Sequence, residues 1–486
     1  MSPDDIIPGL REVVIDVLAA VQWPVLVYFV LINTSYLVFI GLAAWDFVHH
    51  LRRVEQTGRQ ERVASEFVPP VTLVVPMYNE AAGIVQSIQS LLSLRYPHHD
   101  VVGVDDGSSD DTFGVLKEAF DLVEVDREIP GDLPVKAEVL SVHVPRNGRT
   151  PLTIIRKTNS GRSDAVNLGI NAASGELLVF VDADSILDPD ALMTVTVPFA
   201  DDPTRMVATG GVIRAANGSR VVAGRLVEPR MPRQLLPRIQ VVEYLRAFLI
   251  GRAGWSRLGA LVLISGAFGV FRRDILVEVG GLDTDSIGED FEVLMRVHQH
   301  LKREGRDYRV QFVGEPVCWT EVPSTAKVLQ KQRARWHRGL WETLWKYKHM
   351  MFNPRYGKVG MLAVPYYWFF ELIAPLLEFV GLLLVVLGLV LDVINVPFAI
   401  LFMLVAYGYA MLVTLAAMTL EEMTFRKYAR WRDLGTMLMA AIAENIGYRQ
   451  LTAWWRLQGW WASLRGQKQV WGTMTRVGLG GEEGTS

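Results

Sequence analysis

Residues 23–45, WPVLVYFVLINTSYLVFIGLAAW, form an uncharged apolar run, long enough to cross about 30 Å of hydrocarbon as a helix. Trp23 and Trp45 fall at its two ends, where interfacial indoles are favoured. Acidic SPDD precedes the run and basic HHLRR follows it. That charge order is the reverse of a secretory leader and assigns residue 50 onward to the cytoplasmic side. From about Val68 to Tyr356, short apolar runs alternate with mixed stretches. VTLVVPMYNE predicts a buried strand stopped by Pro76, DVVGVDDGSSDD a strand ending in acidic turn residues, and ELLVFVDADS a third. Helical stretches at 81–94 and 162–173 lie between them. This alternation predicts an α/β domain with a mostly parallel sheet and ligand groups at its carboxyl edge. Apolar character returns over Val359–Val393, where Pro365 and Pro375 interrupt any single helix. The expected arrangement is a short interfacial helix leading into a spanning helix near 374–393. DVINVP then reads as an outside turn, 397–419 as the return span, and FRKYARWR at 425–432 as its cytoplasmic flank. The stretch 434–463 carries Glu444, Arg449 and Arg456, which favours a helix lying in the interface over a further crossing.

The predicted layout is therefore an N-terminal segment 1–50 with one span, an α/β domain over 66–356, two spans over 357–420, and a cytoplasmic interfacial helix and tail over 421–486. Composition agrees with it. Half of the 486 residues are hydrophobic and the mean hydropathy is +0.22, high for a soluble enzyme and low for a bundle of spanning helices alone. A net charge of −3 offers no basic field for nucleic acid. Cys318 is the one cysteine, which excludes an intramolecular disulfide and a cysteine-based zinc cluster.

Candidate chemistry begins with Asp182-Ala183-Asp184, where a very apolar strand ends. Carboxylates at i and i+2 of an extended chain point to one side and suit a hard divalent ion that also holds phosphate oxygens. An isolated Asp-x-Asp is more often a solvated turn. Three further acidic segments, YNE at 78–80, DDG at 105–107 and GED at 288–290, shift that balance, because carboxylates gathered at one edge repel unless a cation or a titrating role holds them. His298, His300 and His337 show no metal-ligand spacing and read as ordinary surface or helix residues.

VPMYNE, VDDGSSDDT, SGRSDAVNLG, VFVDADS, SGAFGVFRRD, GED and QRARW occur in an order that resembles the processive family-2 glycosyltransferases, the group of cellulose, chitin, hyaluronan and poly-N-acetylglucosamine synthases. The resemblance runs from about Val71 to Arg476. It implies a GT-A fold inserted between transmembrane helices with interfacial amphipathic helices, a UDP-sugar donor, a polysaccharide acceptor, and Mg2+ or Mn2+. By that match Tyr78, Glu80, Asp105 and Asp106 contact the nucleotide, and Asp182 and Asp184 hold the ion. Arg162 takes a nucleotide-binding position where the family commonly has lysine, so a planar fork replaces a point donor. Asp290 becomes the general base, with Glu289 its structural neighbour or tuner. Gln332, Arg333, Arg335 and Trp336 are implied at the diphosphate and acceptor. Positions 332, 335 and 336 share one helical face and Arg333 falls off it. WGTMTR resembles a closing segment, implying a gating lid from Trp471, Thr475 and Arg476.

Bland alternatives stand beside these roles. The QRARW helix with Arg338 and Lys346 also suits lipid headgroups, and the tail also reads as loose and polar. Glu371 and Glu378, costly near a spanning segment, are expected either to line a polysaccharide channel or to pair with arginine or backbone. The expected function is a multi-pass inner (plasma) membrane enzyme with a cytoplasmic catalytic domain, exporting a β-linked polymer, with a possible accessory membrane subunit. The alternatives are transfer of one sugar to a lipid acceptor and a catalytically silent receptor or scaffold. A glycoside hydrolase would need neither diphosphate-binding carboxylates nor membrane crossings.

Overall fold

The computed structural model describes residues 3–56, 68–222, 224–425 and 430–466. Among the described residues, ten strands form one mixed sheet in the order β3-β4-β5-β2-β1-β6-β11-β8-β12-β7. They are β1 (Val71–Met77), β2 (His99–Asp106), β3 (Leu122–Val125), β4 (Val139–Pro145), β5 (Leu152–Lys157), β6 (Leu177–Val181), β7 (Ile186–Leu187), β8 (Met206–Ala215), β11 (Phe268–Arg272) and β12 (Arg309–Thr320). A hairpin of β9 (Arg220–Val222) and β10 (Arg225–Glu228) stands apart. The centre, β5-β2-β1-β6, is parallel throughout. Seven of the ten strands point one way and β4, β11 and β7 the other, so the sheet is mixed and mostly parallel, as the alternation predicts.

The three quoted strand segments become β1, β2 and β6, and the expected helices form at Ile84–Leu92 and Arg162–Ala172. Pro76 does not stop its strand. It lies inside β1 opposite Val104, and the strand runs on to Met77. The strand centres are buried on both faces, the condition under which parallel strands become continuous apolar runs. The helix Arg162–Ala172 is buried from Ser163 to Ala172. Its Gly169 has no Cβ because one would run into Val74 of β1.

Among the described residues, three helices are long and apolar enough to cross a membrane: Arg11–Trp45, Val359–Val390 and Val396–Thr424. Their apolar side chains face outward, with Val390 77% and Leu412 64% exposed, the reverse of a water-facing helix. They are held together by aromatic stacking of Tyr28 on Phe370 at 5.3 Å and by Asn33 Nδ2 donating to the Val405 carbonyl at 3.2 Å. The second is more continuous than its prolines suggest. π-helical turns carry the chain through Val359–Ala363 and Tyr367–Leu372, with a hitch at Ile373 before Ala374–Val390. The stretch expected as one interfacial helix is two, Trp431–Ala443 and Arg449–Leu464, bent where Gly447 takes φ +85°. The second of these packs along Ala326–Lys346 so closely that a Cβ on Gly459 would collide with the Ala334 carbonyl.

Candidate active site

Parallel pairing of β1 and β2 sets Met77 opposite Asp105, so the YNE and DDG segments leave the sheet side by side. Asn79 then laces them. Its backbone takes φ +57°, a left-handed conformation that asparagine tolerates. Its Oδ1 accepts from the Ser109 N–H at 2.8 Å and the Asp110 N–H at 3.3 Å. The Glu80 N–H donates to Thr112 Oγ1 at 2.8 Å and the Ala81 N–H to Asp110 Oδ2 at 3.2 Å. Tyr78 remains exposed at the mouth and Glu80 half-buried. Asp105 is buried, accepting from the Ser108 N–H at 3.0 Å, with Arg156 Nε 3.7 Å away.

Asp106 departs from its expected nucleotide contact. Its carboxylate turns inward to the fully buried Lys157 ammonium. It also accepts from the Ser160 N–H at 3.0 Å and the Gly161 N–H at 2.9 Å. A buried carboxylate needs such partners, and here they knit β2 to the loop before helix Arg162–Ala172.

Asp182 and Asp184 follow β6 at the same edge, both half-buried. Arg162, expected at the nucleotide, reaches instead across to Asp182 Oδ1 with Nε at 3.1 Å and Nη2 at 2.8 Å, and to Glu289 Oε1 with Nη1 at 2.9 Å. Glu289 and Asp290 open the helix Glu289–Arg303. Asp290 Oδ2 accepts from the Gly266 N–H at 3.2 Å and Oδ1 from the Phe291 N–H at 2.8 Å. Burial raises the Glu289 pKa; the charges of Arg162 and Arg335 pull it down and that of Asp290 pushes it up.

The QRARW helix meets GED backbone to backbone: a Cβ on Gly339 would lie 2.9 Å from Gly288 Cα. Gln332 is buried, its amide oxygen without a partner among the described residues, Arg335 is half-buried, and Trp336 is exposed. Arg333, expected at the diphosphate, turns the other way. Its Nη2 donates to Glu243 Oε2 at 2.6 Å, where the Tyr448 hydroxyl also donates at 2.8 Å. Its guanidinium lies 4.6 Å from the Trp336 ring centre, backing one indole face. Arg333 is thus a strut between helices.

Glu378 is not an unpaired channel residue, since Arg449 donates to its Oε1 at 2.9 and 2.6 Å. Arg456 Nη2 donates to the Glu371 carbonyl at 2.6 Å and lies 3.8 Å from its carboxylate. The alternative of pairing with arginine holds for both. Trp471, Thr475 and Arg476 lie outside the described residues. His298 and His337 are buried rather than superficial, and burial with Arg456 nearby pushes the His337 pKa down to about 2. His300 joins exposed Glu278 and Glu304, yet Arg306 donates to both carboxylates, which makes the group an ion-pair network. Sequence reasoning missed Gly266, Gly339 and Glu243. The first sits within SGAFG and the second three residues after Trp336, but a glycine's close approach shows only when the facing atoms are placed, the Arg162 side chain for Gly266 and the Gly288 backbone for Gly339.

The description "Glycosyl transferase family 2" matches residues 72–130 and "Glycosyltransferase like family 2" matches 134–339, the stretch that builds this edge. The chain belongs to glycosyltransferase family 2. A poly-beta-1,6-N-acetyl-D-glucosamine synthase of Staphylococcus epidermidis is 30% identical over 282 residues, 57% of this chain and 56% of that protein. One from Staphylococcus aureus (strain COL) is 31% identical over 279 residues, 56% of this chain and 55% of that one. The chain thus spans little more than half the length of these curated relatives. A mannosyltransferase of Pyrobaculum calidifontis, solved with GDP-mannose and Mn2+, superposes with a TM-score of 0.50 at 19% identity, covering 87% of this chain and 99% of that one. At that identity the likeness is one of fold, and the family-2 domain here is GT-A-like.

Proposed function

We propose that this family-2 chain is a membrane-embedded inverting transferase that extends a β-linked polysaccharide from a UDP-sugar, processively. The supporting observation is convergence: Arg162 joins Asp182 to Glu289, and the Gly288–Gly339 contact seats the GED turn on the QRARW helix. Asp290 takes the proton from the acceptor hydroxyl. The acceptor oxygen bonds to the anomeric carbon as the bond from that carbon to the diphosphate breaks, so the sugar inverts and UDP departs with the negative charge. Asp182 and Asp184, half-buried hard oxygen donors at i and i+2, fit a Mg2+ or Mn2+ ion. Such an ion supplies charge neutralisation at the leaving diphosphate. Arg335 adds a permanent forked donor there, and the buried amide of Gln332 lies beside it on the helix. Trp336 offers its outer face to the terminal sugar, and Tyr78, Glu80 and Asp105 border the nucleotide.

The three apolar helices support a multi-pass protein of the inner (plasma) membrane with the sheet domain on the cytoplasmic face. With Glu371 and Glu378 paired to arginines, export of the polymer draws further helices from an accessory membrane subunit. The deciding experiment is UDP release by the purified full chain with each UDP-sugar and either Mg2+ or Mn2+, followed by product sizing. High-mass material is expected. A one-sugar lipid product replaces this function with single transfer, and UDP binding without turnover of any donor points to a silent scaffold.

A further inference from the structure

Arg162 stands where two carboxylates from distant segments would otherwise face each other. It opens the helix Arg162–Ala172, and its side chain is only 13% exposed. Nε and Nη2 converge on one oxygen, Asp182 Oδ1, while Nη1 serves Glu289 Oε1. Nη2 also donates to the Gly266 carbonyl at 2.7 Å, and the N–H of that same Gly266 donates to Asp290. A single guanidinium thus bridges Asp182 and Glu289 and, through one glycine, touches the loop that orients Asp290. A divalent ion arriving at Asp182 with Arg162 in place would crowd positive charge on both sides of one carboxylate. A ligand bringing several negative charges removes that conflict, and a nucleoside diphosphate is such a ligand.

We propose that Arg162 is the resident counter-cation of the Asp182–Glu289 pair and makes divalent-cation binding at Asp182 and Asp184 conditional on a nucleoside diphosphate, granted that those two aspartates are the cation ligands. Lysine at 162 would keep the charge while losing the two-sided bridge. Linkage requires the dependence to be mutual: the diphosphate tightens the cation as much as the cation tightens the diphosphate.

The test is Mn2+ binding to the purified full chain in detergent, with unbound Mn2+ followed by electron paramagnetic resonance, with and without UDP. In the wild-type protein UDP should tighten Mn2+ binding by about tenfold or more. Arg162→Gln should bind Mn2+ without UDP about tenfold more tightly than wild type, and the added effect of UDP should shrink. Arg162→Lys should stay near wild type, and Asp182→Asn should remove binding in each background. Nucleotide-free affinity unchanged in Arg162→Gln, with binding in UDP still sensitive to Asp182→Asn, overturns the proposal. Arg162→Lys behaving like Arg162→Gln also overturns it, because geometry rather than charge would then be at work. Should Arg162→Gln fail to fold by size-exclusion chromatography, wild-type linkage decides, and Mn2+ affinity indifferent to UDP is the overturning result. Wild-type Mn2+ binding that ignores Asp182→Asn even in UDP removes the ligand assignment itself, an outcome recognisably different from the others.

Discussion

Asp290 keeps both oxygens on backbone N–H groups, those of Gly266 and Phe291, so its orientation depends on main chain rather than on a mobile partner. Asp290→Asn preserves the shape and removes the proposed base. Turnover is expected to fall by about 10²–10⁴-fold while UDP binding, followed by calorimetry, persists. His298 carries a separate prediction about stability. Its Nε2 faces the Leu261 carbonyl at 2.7 Å and its Nδ1 the Tyr308 hydroxyl at 2.6 Å, so the neutral ring with Nε2–H is the form that fits. Burial lowers its pKa from the ordinary 6.5 to about 4. Between those values the unfolded chain binds the extra proton, so the stabilisation is complete above pH 6.5 and is lost as pH falls towards 4. Up to about 3 kcal/mol follows from a shift of that size. Thermal unfolding across this range should show the loss in the wild-type protein and a smaller one in His298→Gln. At this scale the meeting of Asp182 with the GED turn at one edge was legible, because clustered carboxylates have few structural excuses. Asp106 was not: beside Asp105 in sequence it looks equivalent, and only Lys157 buried beneath it turns it inward.

At the scale of elements, two glycine contacts join the pieces of the edge. Gly339 abuts Gly288, and Gly459 abuts the Ala334 carbonyl. In both cases the obstacle is backbone, which cannot rotate away. Gly339→Ala should push the QRARW helix off the GED turn by a fraction of an ångström, and a displacement of that order costs up to about 100-fold in rate. Turnover with intact UDP affinity is the measurement. Gly459→Ala should act on packing, lowering stability by about 1–3 kcal/mol, read as a fall in the detergent-solubilised melting temperature. Helix existence followed from apolar periodicity. The π-turns at 359–372 and the bend at Gly447 did not, because they answer to the neighbours the helices pack against rather than to local propensity.

Across the whole molecule, pairs of opposite charge tie the helix Val359–Val390 to Arg449–Leu464, Glu378 with Arg449 and Glu371 with Arg456, and tie Arg246 of the sheet domain to Glu444 beside the Gly447 bend. Removing one partner of such a pair strands the other, at a cost of about 3–5 kcal/mol where the site is buried. Arg449→Met should therefore depress the melting temperature strongly. Glu378→Gln combined with Arg449→Met should recover much of the loss, and polymer output in vesicles should recover with it. Recovery of stability without recovery of output would return Glu378 to the polymer path.

Local pattern alone determined the strand–helix alternation, the three apolar runs and the acidic segments at strand ends, because each depends on periodicity or on the cost of placing charge and hydrocarbon in the wrong solvent. Tertiary structure decided which of those charges face one another. Arg162, Arg333, Asp106, Glu371 and Glu378 all carry charges that suit a binding site, and the structure gives each an internal partner. Residues far apart in the chain meet there, and a Coulomb interaction depends on distance in space, which the order of residues does not contain.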